Sequence, residues 1–534
     1  MKKLLSIALV LVLALGLLAG CGSSSGSGAA SSDSAPAADT KILYHVHTTT
    51  PYVTLDPSTE YSNGMMVLQN VYETLTHYNP ETGEVDPMLA TSWTANEDGT
   101  VWVFQIRDDV DFHDGSHLTA QQVVNSLKRS MDLGQGGAYV WDAVLEDNGG
   151  SIEATGEYEV TITCGWSTAV DLVASAAYAS YIMSDSVIDQ DVSWFNEGHD
   201  GGSGPYTIAQ ANGDSVVLKA FEDYRGGWTD DQYKNVIIRE VAESSARRQM
   251  LETGEAQISS DLSATDLEAL EAQPDKVHIV KAETFNNIIM FINTAVEPGS
   301  NADFRRALAY AYPYDEVVSS VLNGSGEQSI GTVPSGLWGH SDDVFHYTFD
   351  MDKAKEYLDK SGVDTNGLKL TVTYSTGDDT YASALQLYQV NLRQLGIDLE
   401  LKSMEWDQQW AQAQNTDPAD RQDLFLFIWW PDYADPSSWF QSVLHSEDEI
   451  VYNLSYISDP QLDALIDEAV ELTATDREGA EARYIEAQQI LAEQAYYLNL
   501  YDQVHNYVVS NTVQGVAENP AYSYTVDYYQ VTAK

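Results

Sequence analysis

The sequence predicts a mixed α/β protein with two or three domains. Strand-like and helix-like stretches alternate from Lys41 to the C-terminus, and no repeated period or low-complexity block interrupts them. The chain has 534 residues, which is long for one domain and enough for two or three domains with their own cores. A hydrophobic fraction of 43%, with 32 Tyr and 12 Trp, is typical of a globular protein.

The first 20 residues have the pattern of a secretory signal. Two lysines precede an apolar stretch over residues 4–18, and the segment ends in Leu-Ala-Gly-Cys at positions 18–21. Small residues directly before a cysteine resemble the lipobox of bacterial lipoproteins. We therefore expect residues 1–20 to be removed and a lipid to be attached to Cys21. The alternative interpretation is an ordinary signal anchor or uncleaved membrane helix.

The residues after the signal, 21–39, are predicted to form a flexible tether. They are rich in Gly, Ser and Ala, a composition that cannot bury apolar surface. No other segment approaches the roughly 20 consecutive apolar residues that span a bilayer. We expect the mature protein to lie outside the cytoplasm, on the outer face of the cytoplasmic membrane, with the lipid as its membrane contact.

Elements of the mature chain follow from hydrophobic periodicity and capping residues. Residues 101–107 alternate as a strand does, and a helix is expected after Thr119, with Gln122 completing a capping box. Asp459 followed by Pro460 is typical of an N-cap and first helical position, so an amphipathic helix should begin there and a second long helix should follow it. Further helices are expected over residues 303–322, 352–361 and 381–395.

The charge balance limits the partners of the protein. Lys and Arg number 26 and Asp and Glu number 81, so the net charge is 26 − 81 = −55. Phosphate binding needs a basic surface, which excludes a nucleic-acid partner and also disfavours anionic lipid headgroups. The charge is typical of a soluble, monomeric extracellular protein, and it would also favour a cationic ligand.

Motifs for catalysis or metal binding are missing from the sequence. There is no phosphate-binding loop, no dinucleotide-binding fingerprint and no His-Glu-x-x-His zinc motif. His45 and His47 have no third ligand nearby and are interpreted as packed or exposed side chains. With Cys21 lipidated, Cys164 has no disulfide partner and is interpreted as a core residue. The sequence predicts no catalytic residue, no metal site and no cofactor.

A series of short motifs runs in order along the mature chain. The most specific block covers residues 98–115 and continues to Val123. Together these segments resemble the peptide-type solute-binding proteins of ABC importers, a family that includes oligopeptide-, dipeptide- and nickel-binding proteins. The other motifs include Leu55-Asp-Pro57, Gly202-Ser-Gly-Pro-Tyr206, Phe304-Arg-Arg-Ala-Leu308 and Trp429-Trp-Pro-Asp-Tyr-Ala-Asp-Pro436.

The resemblance implies a two-lobed, periplasmic-binding-protein-like fold of the large peptide-binding type. Its lobes would be mixed α and β, joined by two strands, and would enclose the ligand, with an extra subdomain inserted in lobe I. The Gly-rich run 198–205 suits a domain junction. The implied boundaries are residues 40–78, 203–284 and 504–534 for lobe I, 79–202 for the inserted subdomain and 285–503 for lobe II, with crossings near 284–287 and 501–506.

The function implied by the resemblance is to capture an oligopeptide and deliver it to the membrane subunits of an ABC permease. Two alternatives stay open. The same fold can bind a sugar, a metal chelate or another small solute. An extracellular hydrolase is a remote alternative, and nothing in the sequence argues for one.

Asp432 is the leading candidate for a ligand contact. It follows the apolar run 424–430, which is interpreted as a buried strand, and ligands often bind at strand ends in α/β folds. The resemblance implies that Asp432 pairs with the α-amino group of a peptide, as a carboxylate enclosed with an ammonium group would. The alternative is an exposed aspartate in a turn. Asp435 precedes Pro436 and is expected to cap a short helix.

The resemblance implies further ligand contacts in both lobes. A lobe I loop would pair with extended peptide backbone in the manner of an added strand. Ile428 and Trp430 would supply backbone contacts from lobe II, and Trp406 and Tyr501 would line the cleft. The lobe I residues are Tyr61, Ser62 and Asn63.

The tryptophans depart from the family pattern. Trp429 and Trp430, with Trp406 and Trp439, would narrow the pocket or stack on a ligand that is not a peptide. Aromatic faces also suit sugars, which keeps a carbohydrate ligand open. The alternative is that half of these tryptophans belong to the core.

Overall fold

The computed structural model describes residues 41–145 and 149–534. The predicted signal segment, the tether and Cys21 lie outside the described residues. Within the described part of the chain, no helix is both long enough and apolar enough to cross a membrane.

Strands and helices alternate along the chain, as the sequence predicts. The strands are β1 (Ile42–His47), β2 (Thr76–Asn79), β3 (Glu84–Pro87), β4 (Ala90–Ala95), β5 (Val101–Ile106), β6 (Ser151–Gly156), β7 (Glu159–Thr163), β8 (Tyr206–Ala211), β9 (Ser215–Ala220), β10 (Asn235–Glu240), β11 (Ile258–Ser259), β12 (Val277–Ile292), β13 (Gly326–Gln328), β14 (Lys369–Ser375), β15 (Asp398–Met404), β16 (Leu424–Trp429), β17 (Tyr497–Ser510), β18 (Val513–Gln514) and β19 (Thr532–Ala533).

The helices include several of only one turn. They are α1 (Met65–Leu68), α2 (Ala120–Leu133), α3 (Ala138–Leu145), α4 (Val170–Val173), α5 (Val192–Asn196), α6 (Ser244–Thr253), α7 (Ala264–Glu271), α8 (Ala302–Ala311), α9 (Tyr314–Glu316), α10 (Met351–Ser361), α11 (Asp379–Gln394), α12 (Trp406–Ala413), α13 (Ser437–Trp439), α14 (Pro460–Thr473) and α15 (Arg477–Gln494), with π-helical segments at Val317–Leu322 and Phe440–Leu444 and 3₁₀ turns at Asp185–Val187, Pro418–Asp420 and Tyr528–Gln530.

One large sheet extends through the molecule. Its strand order is β15-β14-β16-β12-β17-β11-β1-β10-β9-β8, and β13 also pairs with β17. The long central strands β12 and β17 are antiparallel and pair from Val277 opposite Ser510 to Phe291 opposite Tyr497. The strands on one side of them come from residues 42–259, and those on the other side come from residues 369–429. The central strands therefore join two halves of the structure.

The ladder between β12 and β17 is irregular near its middle. The register shifts between Glu283 and Asn287, and the hydroxyl of Thr284 donates to the carbonyl oxygen of Gln503 at 2.9 Å. Irregularities of this kind bend a strand and increase its twist. The paired strands are thus interrupted close to the positions at which the chain is expected to cross between lobes.

The segment between β2 and β8 forms a small sheet with its own core. The antiparallel order is β4-β5-β7-β6, and α2 packs on β6 and β7. Trp102, Phe104 and Trp141 belong to a hydrophobic cluster built from residues 75–182. Cys164 lies in this cluster, and burial raises the pKa of its thiol to about 12. Its interpretation as a core residue is confirmed.

Capping residues fix two helices where the sequence places them. The side-chain oxygen of Gln122 accepts the backbone N–H of Thr119 at 2.7 Å, so the capping box of α2 is present. The Asp459 carboxylate accepts the backbone N–H of Gln461 at 3.0 Å at the start of α14.

The single helix predicted over residues 303–322 is wrong. The chain forms α8, leaves the helical conformation at Tyr312 and resumes after Pro313 as α9 and a π-helical segment. Proline lacks the backbone N–H that a continuous helix needs, and it favours extended backbone at the residue before it. Tyr312 has φ −76° and ψ 129°, in agreement with this effect.

His45 and His47 are buried in the second half of β1. The Nδ1 atom of His45 lies 2.7 Å from the Tyr528 hydroxyl, and His47 lies 3.0 Å from the Asp261 carboxylate. Burial lowers the pKa of His45 to about 3, so its ring is neutral. Among the described residues, no group of three or more His, Cys, Asp or Glu side chains is arranged to hold a metal ion.

Candidate ligand-binding site

A cavity of about 630 Å³ lies between three parts of the chain that are distant in sequence. Its volume falls within the range of about 300–1,000 Å³ that is typical of small-molecule sites. The lining comes from the loop at Tyr61, from the segment between β2 and β8, and from residues 406–452.

Strand β16 supplies one wall. Successive side chains of a strand point to opposite faces, so Phe427 and Trp429 line the cavity while Ile428 packs against a different hydrophobic cluster. The indole N–H of Trp429 donates to the carbonyl oxygen of Ser438 at 2.8 Å and fixes the ring. Ile428 lies opposite Ile288 of β12, and this predicted contact residue does not line the cavity.

Asp432 lies three residues beyond the end of β16, in the lining of the cavity. Its carboxylate accepts a hydrogen bond from the hydroxyl of Tyr139, and among the described residues no Lys, Arg or His forms an ion pair with it. Burial raises the pKa of Asp432 to about 6, and the bond from Tyr139 opposes this shift only in part. The site therefore holds a desolvated carboxylate without a cationic partner.

Two tyrosines reach the cavity from the segment between β2 and β8. Tyr139 lies in the first turn of α3 and is 53% exposed, and Tyr178 lies on a loop that also lines the cavity. At Gly137 a Cβ atom would lie 2.4 Å from the Cβ of Tyr178, so glycine is needed for this close packing. Desolvation at the cavity wall, together with the nearby charge of Asp432, raises the pKa of both tyrosines, which keeps them neutral.

Helix α12 supplies a further aromatic wall. Trp406 and Trp410 lie one turn apart, with ring centroids separated by 5.6 Å, and the Trp406 ring is 4.9 Å from that of Phe427. Tyr452 packs against Trp410 at 5.8 Å. Trp406 is still 45% exposed, so one face of this stack is open to the cavity.

Comparison with known proteins decides the family. The chain matches the model of the bacterial extracellular solute-binding proteins, family 5 (middle part), over residues 84–449, which is more than half of its length. The chain belongs to this family. Membership makes the protein an extracytoplasmic solute-binding protein, in a family defined by binding and not by catalysis.

One relative matches the sequence of this chain over most of the length of both proteins. The chain is 29% identical over 483 residues to the probable D,D-dipeptide-binding periplasmic protein DdpA of Escherichia coli (strain K12), a match that covers 88% of this chain and 90% of that protein.

Solved structures show the same fold. HbpA2 from Haemophilus parasuis superposes with a TM-score of 0.81 at 20% identity and covers 92% of this chain and 100% of its own. The ABC transporter-associated periplasmic binding protein DppA from Helicobacter pylori, in complex with the peptide STSA, has a TM-score of 0.73 at 22% identity and covers 92% and 98%. The two-lobed mixed α/β fold is confirmed.

The structure of this solute-binding protein brings five of the predicted contact residues to one cavity. Trp430 is 39% exposed and Tyr61 is 64% exposed there. Asp432, Trp429 and Trp406 complete the set.

Three other predicted contacts point elsewhere. The Ser62 hydroxyl donates to Glu60 at 2.8 Å, and the Asn63 amide donates to the carbonyl oxygen of Thr50 at 3.2 Å, so neither lines the cavity. Tyr501 is 2% exposed and faces a separate cavity of about 320 Å³.

Two side chains near Asp432 are structural. Trp439 does not narrow the pocket: it is buried, and its indole N–H donates to Asn287 of β12 at 2.8 Å. Asp435 accepts the backbone N–H of Ser437 at 2.7 Å, but it lies one residue before the N-cap of α13, which is Pro436.

Tyr139 and Tyr178 were missed by the sequence reasoning, which assigned no contact to the segment over residues 79–202. The hydrogen bond from Tyr139 to Asp432 joins residues 293 positions apart, and no local pattern reports such a contact. The one sequence signal nearby is the Gly-rich turn over residues 134–137, which directly precedes α3.

Proposed function

We propose that this protein captures an oligopeptide between its lobes and delivers it to the membrane subunits of an ABC permease, acting as a monomer. The names of relatives support the ligand class, since one is a probable D,D-dipeptide-binding protein and another structure holds a bound peptide. The lobes are proposed to have the boundaries implied by the sequence, with lobe I at residues 40–78, 203–284 and 504–534. The register shift after Glu283 supports a crossing point near residues 284–287.

The main support for a peptide ligand is the environment of the Asp432 carboxylate. Asp432 is a desolvated carboxylate in a cavity of peptide-compatible volume, and Tyr139 is its one side-chain hydrogen-bond donor among the described residues. A carboxylate has room for about four hydrogen bonds, so an ammonium group can donate to the sites that Tyr139 leaves free. The α-amino group of a peptide supplies both the charge and the donors.

A double-mutant cycle tests this pairing. Asp432→Asn keeps the shape but removes the charge, and breaking a buried charge pair costs about 2–5 kcal/mol, so affinity should fall by about 30-fold to several thousand-fold. Acetylating the peptide's amine should cause a similar loss in the parent protein and little further loss in the variant. Isothermal titration calorimetry measures all four affinities.

The matched control is Asp275→Asn, which neutralises an exposed carboxylate outside the cavity lining and should leave peptide affinity within a factor of about two. Equal affinity of parent and Asp432→Asn for a free-amine peptide would remove Asp432 from the site. A neutral sugar that binds without loss in Asp432→Asn would favour the second candidate function, which the open aromatic face of Trp406 supports.

Cys21 is proposed as the lipid attachment site, because the signal ends at this residue and a flexible tether follows. A doubly or triply acylated cysteine holds a protein at a membrane where a single chain does not. In cells, Cys21→Ser should block lipid labelling and lipoprotein-type removal of the signal, as metabolic labelling with a fatty acid would show. A processed and membrane-bound Cys21→Ser protein would require a different anchor.

A further inference from the structure

The charges that line the cavity are of one sign. Asp432 and Asp407 are acidic, and none of the described residues in the lining is Lys, Arg or His. A small cavity of about 80 Å³ adjoins it and shares Gln441 with it. This second cavity also has no basic side chain among its described lining residues, and it contains the buried carboxylate of Asp435.

Arg477, which lies near Asp435, is already engaged in an ion pair. Arg477 lies close enough to Asp435 to stabilise its charge, but its guanidinium pairs with Asp171 at 3.1 Å and lies over the Trp338 ring at 5.8 Å. It is not part of the lining of either cavity. The described residues thus hold no free cation where a ligand carboxylate could pair.

The aromatic lining also favours a positively charged ligand. Ring faces carry negative electrostatic potential and attract cations, most strongly when the contact is shielded from water. Trp406 and Trp430 both keep exposed ring surface, and Tyr139 stays neutral, so these rings present uncharged aromatic faces to a ligand. An ammonium group therefore meets a carboxylate and ring faces, while a ligand carboxylate meets only uncharged donors such as Ser442 and Gln441 and is repelled by Asp432.

The size of the cavity decides where a ligand's carboxylate lies. A sphere of this volume is about 11 Å across, and an extended dipeptide spans about 7 Å, so both of its ends lie inside. An extended pentapeptide spans about 17 Å, so with its amine at Asp432 its carboxylate lies outside.

We propose that this cavity selects organic cations, and that a free ligand carboxylate is accepted only when the ligand is long enough to place it outside. The inference rests on the proposed peptide function and narrows it: preferred ligands are longer peptides or amines without a nearby carboxylate, and zwitterionic dipeptides are disfavoured. Asp432 provides the attraction, and the lack of a basic partner in the described lining provides the discrimination.

The test compares free acids with their C-terminal amides by calorimetry on the full mature chain. For alanyl-phenylalanine and for D-alanyl-D-alanine, the amide should bind about 10- to 50-fold more tightly than the free acid, the effect of one charge about 7 Å from Asp432 at an effective dielectric constant of about 20 or more. For a pentapeptide that begins with alanyl-phenylalanine, acid and amide should bind within a factor of about two. A free dipeptide that binds as tightly as its amide overturns the inference.

Adding a cation to the lining should weaken the preference for the amide. Gln441 is exposed and lines the cavity, and Gln441→Lys places an ammonium group there, so the advantage of the dipeptide amide should shrink to about threefold or less. Gln249→Lys makes the same substitution on the exposed face of α6, outside the lining, and should leave the ratio unchanged. An unchanged ratio in Gln441→Lys would show that lining charge does not set the selectivity.

Tyramine and tyrosine separate this inference from the peptide proposal, because they differ by one carboxylate and neither is a peptide. If no peptide binds but tyramine binds at least tenfold more tightly than tyrosine, the peptide function is wrong and the charge selectivity stands. If free dipeptides bind as well as their amides, the selectivity is wrong and the peptide function stands. If tyrosine and tyramine bind equally, the selectivity is also wrong.

Discussion

Asp56 is fully buried and Asp432 is half-buried, and the two carboxylates have different surroundings. Asp56 is fully buried, and its two oxygens accept from the two terminal nitrogens of Arg129 at 2.6 and 2.7 Å. Arg129 also donates to the carbonyl oxygens of Ile188 and Gln190, each at 2.8 Å. Asp432 has one tyrosine donor and opens onto a cavity.

A second buried acid follows the pattern of Asp56. Glu73 accepts from Arg225 at 2.6 Å and from the hydroxyl of Ser203 at 2.8 Å. In these two pairs the fold supplies the full complement of a buried charge, as a stable interior requires. At Asp432 we propose that a ligand supplies the cationic partner. The contrast teaches that a binding carboxylate is recognised here by the partner it lacks, and not by its burial.

The largest effect on stability is expected at Asp56, whose charge is fully paired within the protein. Arg129→Met leaves Asp56 buried and unpaired, and breaking such a pair costs about 3–5 kcal/mol of folding stability. Urea denaturation at pH 7 should show this loss in the free energy of unfolding. Peptide affinity of the folded variant should change little, because Arg129 and Asp56 lie outside the cavity lining.

The double variant Arg129→Met with Asp56→Asn is the control for that prediction. Removing both charges should restore part of the lost stability, since the main penalty comes from one charge without its partner. A loss of less than about 1 kcal/mol in Arg129→Met would mean that Asp56 does not depend on its cationic partner, and the contrast with Asp432 would then fail.

The sequence predicted the features that depend on local order. The apolar run that becomes β16 placed Asp432 at a strand end, and Asp459 with Pro460 marked the start of α14. These signals work because capping and strand alternation involve neighbours in the chain. Pro313 also marks the break between α8 and α9, but the apolar periodicity on both sides of it predicts one continuous helix.

The remaining features of the site could not be predicted from the sequence, because tertiary packing decides which side chains reach the cavity. Trp429 and Trp439 are ten residues apart and equally apolar, yet one lines the cavity and the other is buried against Asn287. Tyr139 meets Asp432 only through tertiary packing, since the two residues are 293 positions apart in the chain. Tyr501 lies on a predicted crossing strand, but its side chain belongs to the core on a different face.

Removing the unpaired charge should stabilise the ligand-free protein. Burial raises the pKa of Asp432 to about 6, above its ordinary value of 3.8, so between those values the folded state binds more protons than the unfolded state. The free energy of unfolding therefore decreases as the pH rises from about 4 to about 6, and the penalty is fully present above pH 6. Since cavity water screens part of the charge, we expect about 1–2 kcal/mol.

Asp432→Asn should accordingly be more stable than the parent by about 1–2 kcal/mol at pH 7 and equal to it near pH 4, in urea titrations without ligand. Asp502, whose pKa burial also raises to about 6, titrates in both proteins and cancels in the difference. A variant less stable than the parent at pH 7 would mean that the Asp432 charge is already compensated within the protein. Together with weaker peptide binding, a gain in stability would show that the same carboxylate costs the empty protein folding energy and provides the attraction for its ligand.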